Sequence, residues 1–453
     1  WRLACQAHPV SDLRLDLPAD SLLGAQRLQV EGLGEMPPLD PPVPATAAAP
    51  FGVAVDLGTT KLAIFLVDLR NGVTVASAGV TNPQIAFGED VISRLAWAAA
   101  TDGGARRLQQ EASQAIAAAI TALCAEAGAR PDQVAALVVV GNTVMHHLLA
   151  GLPTVGLGAA PFAPSWAGPL ERRASELGLP AAPGAPVYFA PCIAGFVGGD
   201  HVAMLMASGA LASDRTVLAL DIGTNTEISL CLDGRLISCS CPSGPAFEGA
   251  HLTHGMRAAP GAIEAVRLED DRVTIRTVDG VPARGICGSG ILDAVAEMRQ
   301  AGVIDTRGNL RRDHPLLTEG ELILAPAAGG RPPVTVHRRD VLEIQLAKAA
   351  IQSGIQSLLA YAGLDPGQLD EVVIAGAFGT WLDVRSAVRI GLLPRLPRER
   401  FRQVGNAAGI GARQFLLSRA RRQQGEQLAS AAEYVELATR ADYSARYLRA
   451  LWL

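Results

Sequence analysis

From residue 51 onward, short apolar runs alternate with longer stretches in which apolar residues recur every three or four positions. The short runs predict β-strands and the longer stretches predict helices, which together indicate a layered α/β fold. One helix is clear, because apolar residues recur at helical spacing from Leu108 to Leu123 and Gly128 follows as a stop. A β-rich run over residues 134–140 comes next.

The pattern contains an internal repeat. In each copy an apolar strand ends in an aspartate and Gly-Thr, and a second strand and a tight turn follow. The aspartates are Asp56 and Asp221, and the turns are Asn71-Gly72 and Asp233-Gly234. Such pairs favour type I′ hairpin turns, which need positive φ at both central residues. Each copy therefore predicts a lobe that begins with an antiparallel β-meander.

The repeated Gly-Thr turns indicate a phosphate-binding cleft. A turn of this kind directs backbone N–H groups and hydroxyls towards a ligand, and two matched turns are stronger evidence than one. Asp56 and Asp221 would face each other across the cleft, where two carboxylates beside a triphosphate suit hydrated Mg²⁺. The chain contains neither G-x-x-x-x-G-K-[ST] nor G-x-G-x-x-G, which removes the main support for competing phosphate-binding folds. The candidate phosphate-binding residues are Gly58, Thr59, Thr60, Lys61, Gly223, Thr224, Asn225 and Thr226.

Composition narrows the class of protein further. A chain of 453 residues exceeds what one hydrophobic core usually supports, so we expect two lobes. A net charge of -5 leaves no basic surface for nucleic acid, and no apolar run is long enough to cross a membrane. The seven scattered cysteines form no C-x-x-C pair, which argues against a disulfide framework or a zinc site. We therefore expect a cytoplasmic protein in a reducing compartment.

The N-terminal region differs from the rest. Residues 1–30 predict a short, partly β segment, and residues 31–50 form a Pro/Ala-rich linker. Such a linker is semi-rigid and could hold a preceding domain up to roughly 45 Å from the main body. A passive spacer and a swinging tether both fit this composition. Because the sequence begins with Trp1, we expect it to be part of a longer protein.

The two Gly-Thr turns resemble the phosphate loops of the acetate and sugar kinase, heat shock chaperone and actin superfamily (ASKHA). This resemblance implies two actin-like, ribonuclease H-like lobes around ATP. It places lobe I at 51–215, lobe II at 216–404, and a connecting helix with a tail that returns to lobe I at 405–453.

Further motifs match this superfamily in order. Gly195 to Asp200 resembles the connect 1 segment, which makes Asp200 a candidate for positioning the attacking water, although a helix N-cap explains the same residue. Asp56, Asp221 and Glu227 are the other candidate catalytic acids. The segment from Gly405 to Gly409 resembles connect 2, where small residues allow close packing at the hinge, and we expect it to bind no ligand.

Two glycine-rich segments are candidates for the nucleoside. The strand at 372–375 leads into a turn that resembles the adenosine motif, in which glycines let the backbone lie against adenine and ribose. A second segment, 285–290, opens a helix, and either an anion contact or a tight turn would require its glycines. The candidate residues are Gly376, Ala377, Phe378 and Gly379 in the first segment and Gly288, Ser289 and Gly290 in the second.

Four sequence segments together resemble those of a narrower family, the reductive activators of corrinoid-dependent methyltransferase systems. These segments are Asp221 to Glu227, Gly285 to Gly290, Gly376 to Gly379 and Glu433 to Leu437. This resemblance implies ATP-dependent reduction of a corrinoid protein from Co(II) to Co(I). The implied partners are that corrinoid protein and an upstream electron donor, and a homodimer is possible.

The family carries an N-terminal 2Fe-2S ferredoxin domain. Residues 1–6 are similar to the sequence around the last cluster cysteine of plant-type ferredoxins, so Cys5 would be the fourth ligand. The other three ligands would lie upstream, and we do not expect this chain to hold the cluster. These activators also place a small domain between ferredoxin and ATPase, for which the linker leaves no room.

Three alternatives stay open. A small-molecule kinase of the same superfamily would need a substrate pocket, and an activator of radical dehydratases would hold a cluster between subunits. A nucleotide-gated, chaperone-like protein would transfer no electron. We assign no metal site to the pairs His251/His254 and Cys239/Cys241, because neither pair has a usual ligand spacing. The loop carrying Phe247 and Glu248 fits a partner contact or a lid, and we favour a plain connection over both.

Overall fold

A computed structural model describes residues 34–453 apart from 212–213, 270–271 and 329, so the predictions for residues 1–30, including Cys5, lie outside the described residues. The strands are β1 (Phe51–Leu57), β2 (Lys61–Asp68), β3 (Thr74–Thr81), β4 (Val134–Gly141), β5 (Leu170–Arg173), β6 (Pro186–Phe189), β7 (Val217–Ile222), β8 (Thr226–Leu232), β9 (Arg235–Cys241), β10 (Ala262–Glu269), β11 (Arg272–Thr277), β12 (Gly285–Ile286), β13 (Leu317–Thr318), β14 (Glu321–Ala325), β15 (Val334–Val336), β16 (Glu371–Ala375), β17 (Phe401–Gly405) and β18 (Glu433–Tyr434). The helices are α1 (Val91–Ala100), α2 (Gly104–Glu126), α3 (Thr143–Ala150), α4 (Gly199–Ser208), α5 (Gly288–Gln300), α6 (Arg338–Ala362), α7 (Ala377–Trp381), α8 (Val384–Arg389), α9 (Ala407–Leu417), α10 (Arg419–Ala431) and α11 (Tyr443–Ala450).

Two six-stranded sheets organise the molecule in the same way. The first has the order β3-β2-β1-β4-β6-β5 and the second β17-β16-β7-β8-β9-β18. In each sheet an antiparallel meander (β1-β2-β3 or β7-β8-β9) is extended by a parallel strand beside its first strand, β4 or β16. This topology confirms the predicted α/β class with two ribonuclease H-like lobes.

The local elements follow the hydrophobic pattern closely. Helix α2 buries Leu108, Ile116, Ile120 and Leu123 on one face, and Gly128 follows it at φ 66°. All eight residues of β4 are buried, as expected for a central strand covered on both faces. None of the helices in the described part of the chain is both long and apolar enough to span a bilayer.

The two predicted hairpin turns differ. Asp233 and Gly234 have φ 48° and 73°, which confirms the prediction there. The prediction is wrong for the first hairpin, where only Gly72 has positive φ and its N–H donates to Asp68 O at 2.7 Å. The Asn71 side chain instead accepts a hydrogen bond from Val73 N–H at 2.9 Å. This local bond supports a longer loop in place of the two-residue turn.

Helices α4 and α9 lie between the two sheets. Their apolar residues share one buried cluster with β1, β4, β7 and β16, so the lobes are joined through a common core. A Cβ atom on Gly411 of α9 would lie 2.2 Å from the Ala203 carbonyl oxygen of α4. Only glycine allows this approach, which confirms the predicted close packing of small residues at the hinge.

The described part of the linker, residues 34–50, lies against the hinge helices. Asp40 N–H donates to Leu417 O and Asp40 O accepts from Arg419 N–H, both at 2.9 Å. The Gln414 amide donates to Glu35 O at 2.7 Å. Because these bonds continue into apolar contacts with the hinge core, residues 34–50 are a docked strap, which differs from both the passive spacer and the swinging tether that the composition allowed.

Candidate active site

A cleft opens between the lobes at the carboxyl ends of β1, β4, β7 and β16. The two Gly-Thr turns reach it from opposite sides, as the repeat predicted, and the adenosine-like turn closes one end. The predicted residues that line it are Asp56, Gly58, Thr59, Thr60, Lys61, Asp200, Asp221, Gly223, Thr224, Asn225, Glu227, Gly288, Ser289, Gly376 and Phe378.

The remaining candidates take other places. Thr226 is fully buried, and its hydroxyl pairs with that of Ser243 at 2.8 Å. A Cβ on Gly290 would lie 2.1 Å from Ile263 O, and one on Gly379 would lie 2.8 Å from Ile374 Cγ2, so both glycines serve packing. Ala377 is the first residue of α7.

In the turn of lobe I, residues 58–60, two backbone carbonyl groups accept hydrogen bonds from Asn82. The Asn82 side chain donates to Gly58 O, and the Asn82 N–H donates to Thr60 O, both at 2.9 Å. Asn142 donates to the Thr59 hydroxyl at 2.9 Å. Carbonyl oxygens would repel an anion, so pinning them away from the cleft leaves N–H groups and hydroxyls to face a phosphate.

The turn of lobe II, residues 223–225, is held in the same manner. The Ser243 hydroxyl donates to Gly223 O at 3.1 Å, and Gly244 N–H donates to Thr224 O at 2.9 Å. Asn82 directly follows β3 and Ser243 comes two residues after the end of β9, the third strands of the two meanders, so the repeat extends beyond the residues that the sequence analysis recognised.

Four carboxylates form the floor of the cleft. Burial and the neighbouring Asp221 raise the pKa of Asp56 to about 7, against a weaker opposing hydrogen bond from Asn406, while burial raises the pKa of Asp221 to about 6. Burial, followed by the charges of the other acids, raises the pKa values of Asp200 and Glu227 well above their usual range. These groups favour a shared cation or shared protons.

Asp200 lies in the first turn of α4, whose N-cap is Gly198. Its carboxylate accepts the His201 N–H at 2.8 Å, so it stabilises the helix start without being the capping residue. It also lines the cleft, where the charges of Asp56 and Asp221 act on it. The structural and the catalytic interpretation of Asp200 are therefore compatible.

The carboxylate floor suits Mg²⁺ held through water. Buried like charges next to one another are costly unless a cation or a proton joins them. Within the described ranges, no three His, Cys, Asp or Glu side chains are arranged to hold a metal ion directly. Mg²⁺ keeps most of its waters and takes few protein ligands, so this donor set fits a hydrated ion shared with phosphate.

The opposite edge of the cleft is basic. Burial lowers the pKa of Lys61, with opposing effects from Glu248, which raises it, and Arg257, which lowers it. Arg257 Nη1 is buried and has no hydrogen-bond partner among the residues that the structure describes. A cationic donor left unpaired in a cleft is a subsite for an anion.

The end of the cleft near α7 is apolar. Phe378 stacks on Phe247 with ring centroids 4.3 Å apart and planes at 13°, and Trp381 lies half-exposed at the mouth. Gly376 has φ 90°, and a Cβ there would lie 2.8 Å from Asp221 Oδ1. The backbone can therefore pass close to the carboxylate floor only with glycine at this position.

Sequence analysis missed several of the residues that line the cleft. Asn142 and Asn406 each follow a strand as the second residue of a Gly-Asn pair and cap a helix, α3 or α9, a repeated signal that could have identified them. We expected the segment around Asn406 to serve packing alone, yet it lines the cleft. Glu248 and Arg257 also line it, and they lie in an irregular segment that no periodicity marks.

The structure shows the neighbours of the two pairs, His251/His254 and Cys239/Cys241, to which we assigned no metal site. His251 lies between Glu89, at 3.7 Å, and Glu343, at 4.0 Å. His254 lies instead against the ring of His337. Cys239 and Cys241 are both buried on β9 below the cleft.

Two family models match the chain. The model described as the C-terminal ASKHA domain of RACo matches residues 215–453, and the RACo middle region matches residues 51–212. The second match covers the residues assigned above to lobe I.

Individual proteins give the same result. The chain is 34% identical to the corrinoid activation enzyme RamQ of Eubacterium limosum, over 88% of this chain and 69% of that protein. It is 26% identical to a [Co(II) methylated amine-specific corrinoid protein] reductase of Methanosarcina barkeri, over 88% and 76%. The solved structure of a reductive activator for corrinoid, iron-sulfur protein superposes with a TM-score of 0.82 at 36% identity, covering 90% of this chain and 67% of that one.

Proposed function

The chain belongs to the RACo family of corrinoid-protein activators, and on this basis we propose that it reactivates a corrinoid protein by reducing Co(II) to Co(I) at the expense of ATP. The relatives named above support the reductive step. The observation that supports ATP is the cleft itself, in which two matched turns, a carboxylate floor and a basic edge converge.

Different residues of the cleft would bind the phosphates, hold Mg²⁺, activate the attacking water and contact the adenine. The turns at 58–60 and 223–225 would donate hydrogen bonds to the phosphates, while Asp56 and Asp221 would hold hydrated Mg²⁺, which supplies positive charge against the triphosphate. Asp200 would orient the attacking water and take its proton, a role that suits a carboxylate whose pKa burial raises well above its usual range. The apolar end near Phe378 would take the adenine.

Lobe closure would couple the nucleotide to the partner. The lobes meet through α4 and α9, and each lobe supplies one phosphate turn, so a triphosphate held by both turns favours the closed arrangement. Closure would change the surface presented to the corrinoid protein. Reduction itself needs one electron for each cobalt, and ATP would supply the free energy for an otherwise unfavourable transfer.

The electron would come from a 2Fe-2S cluster ahead of the strap, with Cys5 as one ligand and three further cysteines upstream. An upstream donor would recharge the cluster. We place this activity in the cytoplasm, where a reducing environment suits the cluster and the free thiols of the described cysteines. A homodimer is possible.

The test uses the complete protein with its upstream segment and a co-encoded Co(II) corrinoid protein. After chemical reduction, the ultraviolet-visible spectrum is followed with and without MgATP. A Co(I) band that forms only with MgATP, and not with an Asp221→Asn variant that still folds, would support the proposal. ATP binding without any spectral change would exclude electron transfer and favour the kinase or the nucleotide-gated alternative.

A further inference from the structure

Glu248 joins the two phosphate turns. It is the last residue of a short 3-10 turn, Pro245–Glu248, that follows β9. Its Oε1 atom accepts the Thr60 hydroxyl at 3.3 Å and the Thr224 hydroxyl at 2.5 Å. One carboxylate oxygen therefore contacts lobe I and lobe II at the same time.

These two hydroxyls belong to the turns that are assigned to phosphate. An oxygen that accepts hydroxyl donors from both sides of the cleft makes the contacts expected of an oxygen of a bound triphosphate. The surroundings fit an anion as well, because the charge of Glu248 acts on the buried Lys61 and the unpaired Arg257 Nη1 lies in the same cleft. The carboxylate and a terminal phosphate would compete for the same donors.

We propose that Glu248 is an internal anion that occupies a phosphate subsite of the nucleotide-free protein, and that the terminal phosphates of ATP displace it. This inference rests on the proposed function and adds a built-in competitor to the site. When the carboxylate is displaced, the direct link between Thr60 and Thr224 through Glu248 is replaced by a link through phosphate.

The segment that carries Glu248 continues to the surface of the protein. Gly244 and Gly249 flank the 3-10 turn at φ 77° and 81°, a backbone region that glycine adopts readily. Beyond them, His251 lies beside Glu89 of lobe I, and Thr253 donates to Asp340 of α6 through both its N–H and its hydroxyl. Displacement of Glu248 would therefore alter an exposed contact between the lobes.

The test compares ligand binding by the full chain and its Glu248→Gln variant. Glutamine keeps the size and an acceptor oxygen but removes the competing charge. We expect MgATP and magnesium tripolyphosphate to bind about tenfold more tightly, measured by calorimetry. AMP lacks the phosphates that compete, so its affinity should stay the same.

Two further variants make the result specific. Glu248→Asp shortens the side chain, withdraws the carboxylate from the hydroxyls and should also tighten MgATP binding. Glu126→Gln removes an exposed carboxylate at the end of α2, outside the residues that line the cleft, and should leave binding unchanged.

The outcomes separate the two proposals. If the wild-type protein binds MgATP and Glu248→Gln binds it equally or more weakly, Glu248 is no competitor and this inference fails alone. If the wild-type protein binds neither MgATP nor tripolyphosphate, the proposed function and this inference both fail.

Discussion

Asp221 on β7 and Glu227 on β8 are direct cross-strand partners, so a partly buried and a buried carboxylate face the same side of one antiparallel pair. Like charges in this arrangement repel one another. The equivalent pair in lobe I, Asp56 with Ala63, has one acid only. The repulsion between carboxylates is therefore greater in lobe II, where a cation or a proton at the cleft floor would relieve it.

The first prediction concerns pH and Mg²⁺. Asp56 and Asp221 have folded-state pKa values of about 7 and 6, raised from 3.8, so the folded protein binds more protons than the unfolded chain between about pH 4 and 7. Their stabilisation is complete below that window and is lost progressively as pH rises from about 4 through the folded-state pKa values of about 6 and 7. Mg²⁺ replaces these protons, so the increase in Tm that MgCl₂ causes should grow from pH 5.5 to pH 8.

The measurement is thermal unfolding with and without MgCl₂ at matched ionic strength. Taking the difference at each pH removes the contribution of His146, whose pKa burial lowers to about 3 and which acts in the opposite direction. Asp221→Asn should flatten the dependence. A Mg²⁺ effect that does not vary with pH would contradict the prediction.

The second prediction concerns Asp200. Asparagine still accepts the His201 N–H, so Asp200→Asn should retain stability and MgATP affinity while hydrolysis slows by about 10² or more. Steady-state phosphate release and calorimetry measure the two properties. Asp90→Ala is the matched control, because Asp90 caps α1 through Ser93 N–H at 2.7 Å and should affect stability alone. Unchanged hydrolysis in Asp200→Asn would leave this residue a structural role only.

The third prediction compares two glycines. Gly376→Ala would introduce strain at φ 90° and place Cβ 2.6 Å from Ile222 O, beside the Asp221 carboxylate. Gly363→Ala has a comparable positive φ of 71° and no atom within 4 Å of the new Cβ. Urea unfolding should show a loss of about 1 kcal/mol for Gly363→Ala and more for Gly376→Ala. Only Gly376→Ala should also weaken MgATP binding, and equal effects of both variants on binding would contradict the assignment.

The fourth prediction concerns Arg257. Because its Nη1 atom has no partner, Arg257→Gln should leave stability unchanged or slightly higher. The same variant should weaken MgATP binding about tenfold and AMP binding far less. Arg312→Gln, at an exposed position, is the control. Equal losses for ATP and AMP would place Arg257 near the nucleoside and not near the phosphates.

Sequence alone predicted the parts of the molecule that are encoded locally. The repeat around Asp56 and Asp221 predicted both meanders and both Gly-Thr turns, because the strands, the turn residues and the acids lie within a short stretch of chain. The strap at 34–50 could not be predicted, since Pro-rich composition is compatible with docked and extended states alike, and docking depends on helix α9 far along the chain.

The missed cleft residues show the same limit. Glu248 accepts a hydrogen bond from Thr60, which is 188 residues away in the sequence, and no local sequence pattern predicts a contact at such a separation. Asn82 and Ser243 pin their turns from positions that look like ordinary strand ends. Only the three-dimensional arrangement shows that the segment after each third strand belongs to the site.

The docking of residues 34–50 changes the reach of whatever precedes them. If the flexible linker began at residue 50, residues 34–50 would add to its length. Their hydrogen bonds to α9 instead fix this segment to the hinge, so the flexible part of the linker is shorter. A shorter linker confines the domain that it tethers to a smaller volume and so raises the effective concentration of that domain near the lobes. Because the linker is fixed to the helices where the lobes meet, opening and closing of the lobes would also move the attachment point of the electron-carrying domain that we propose.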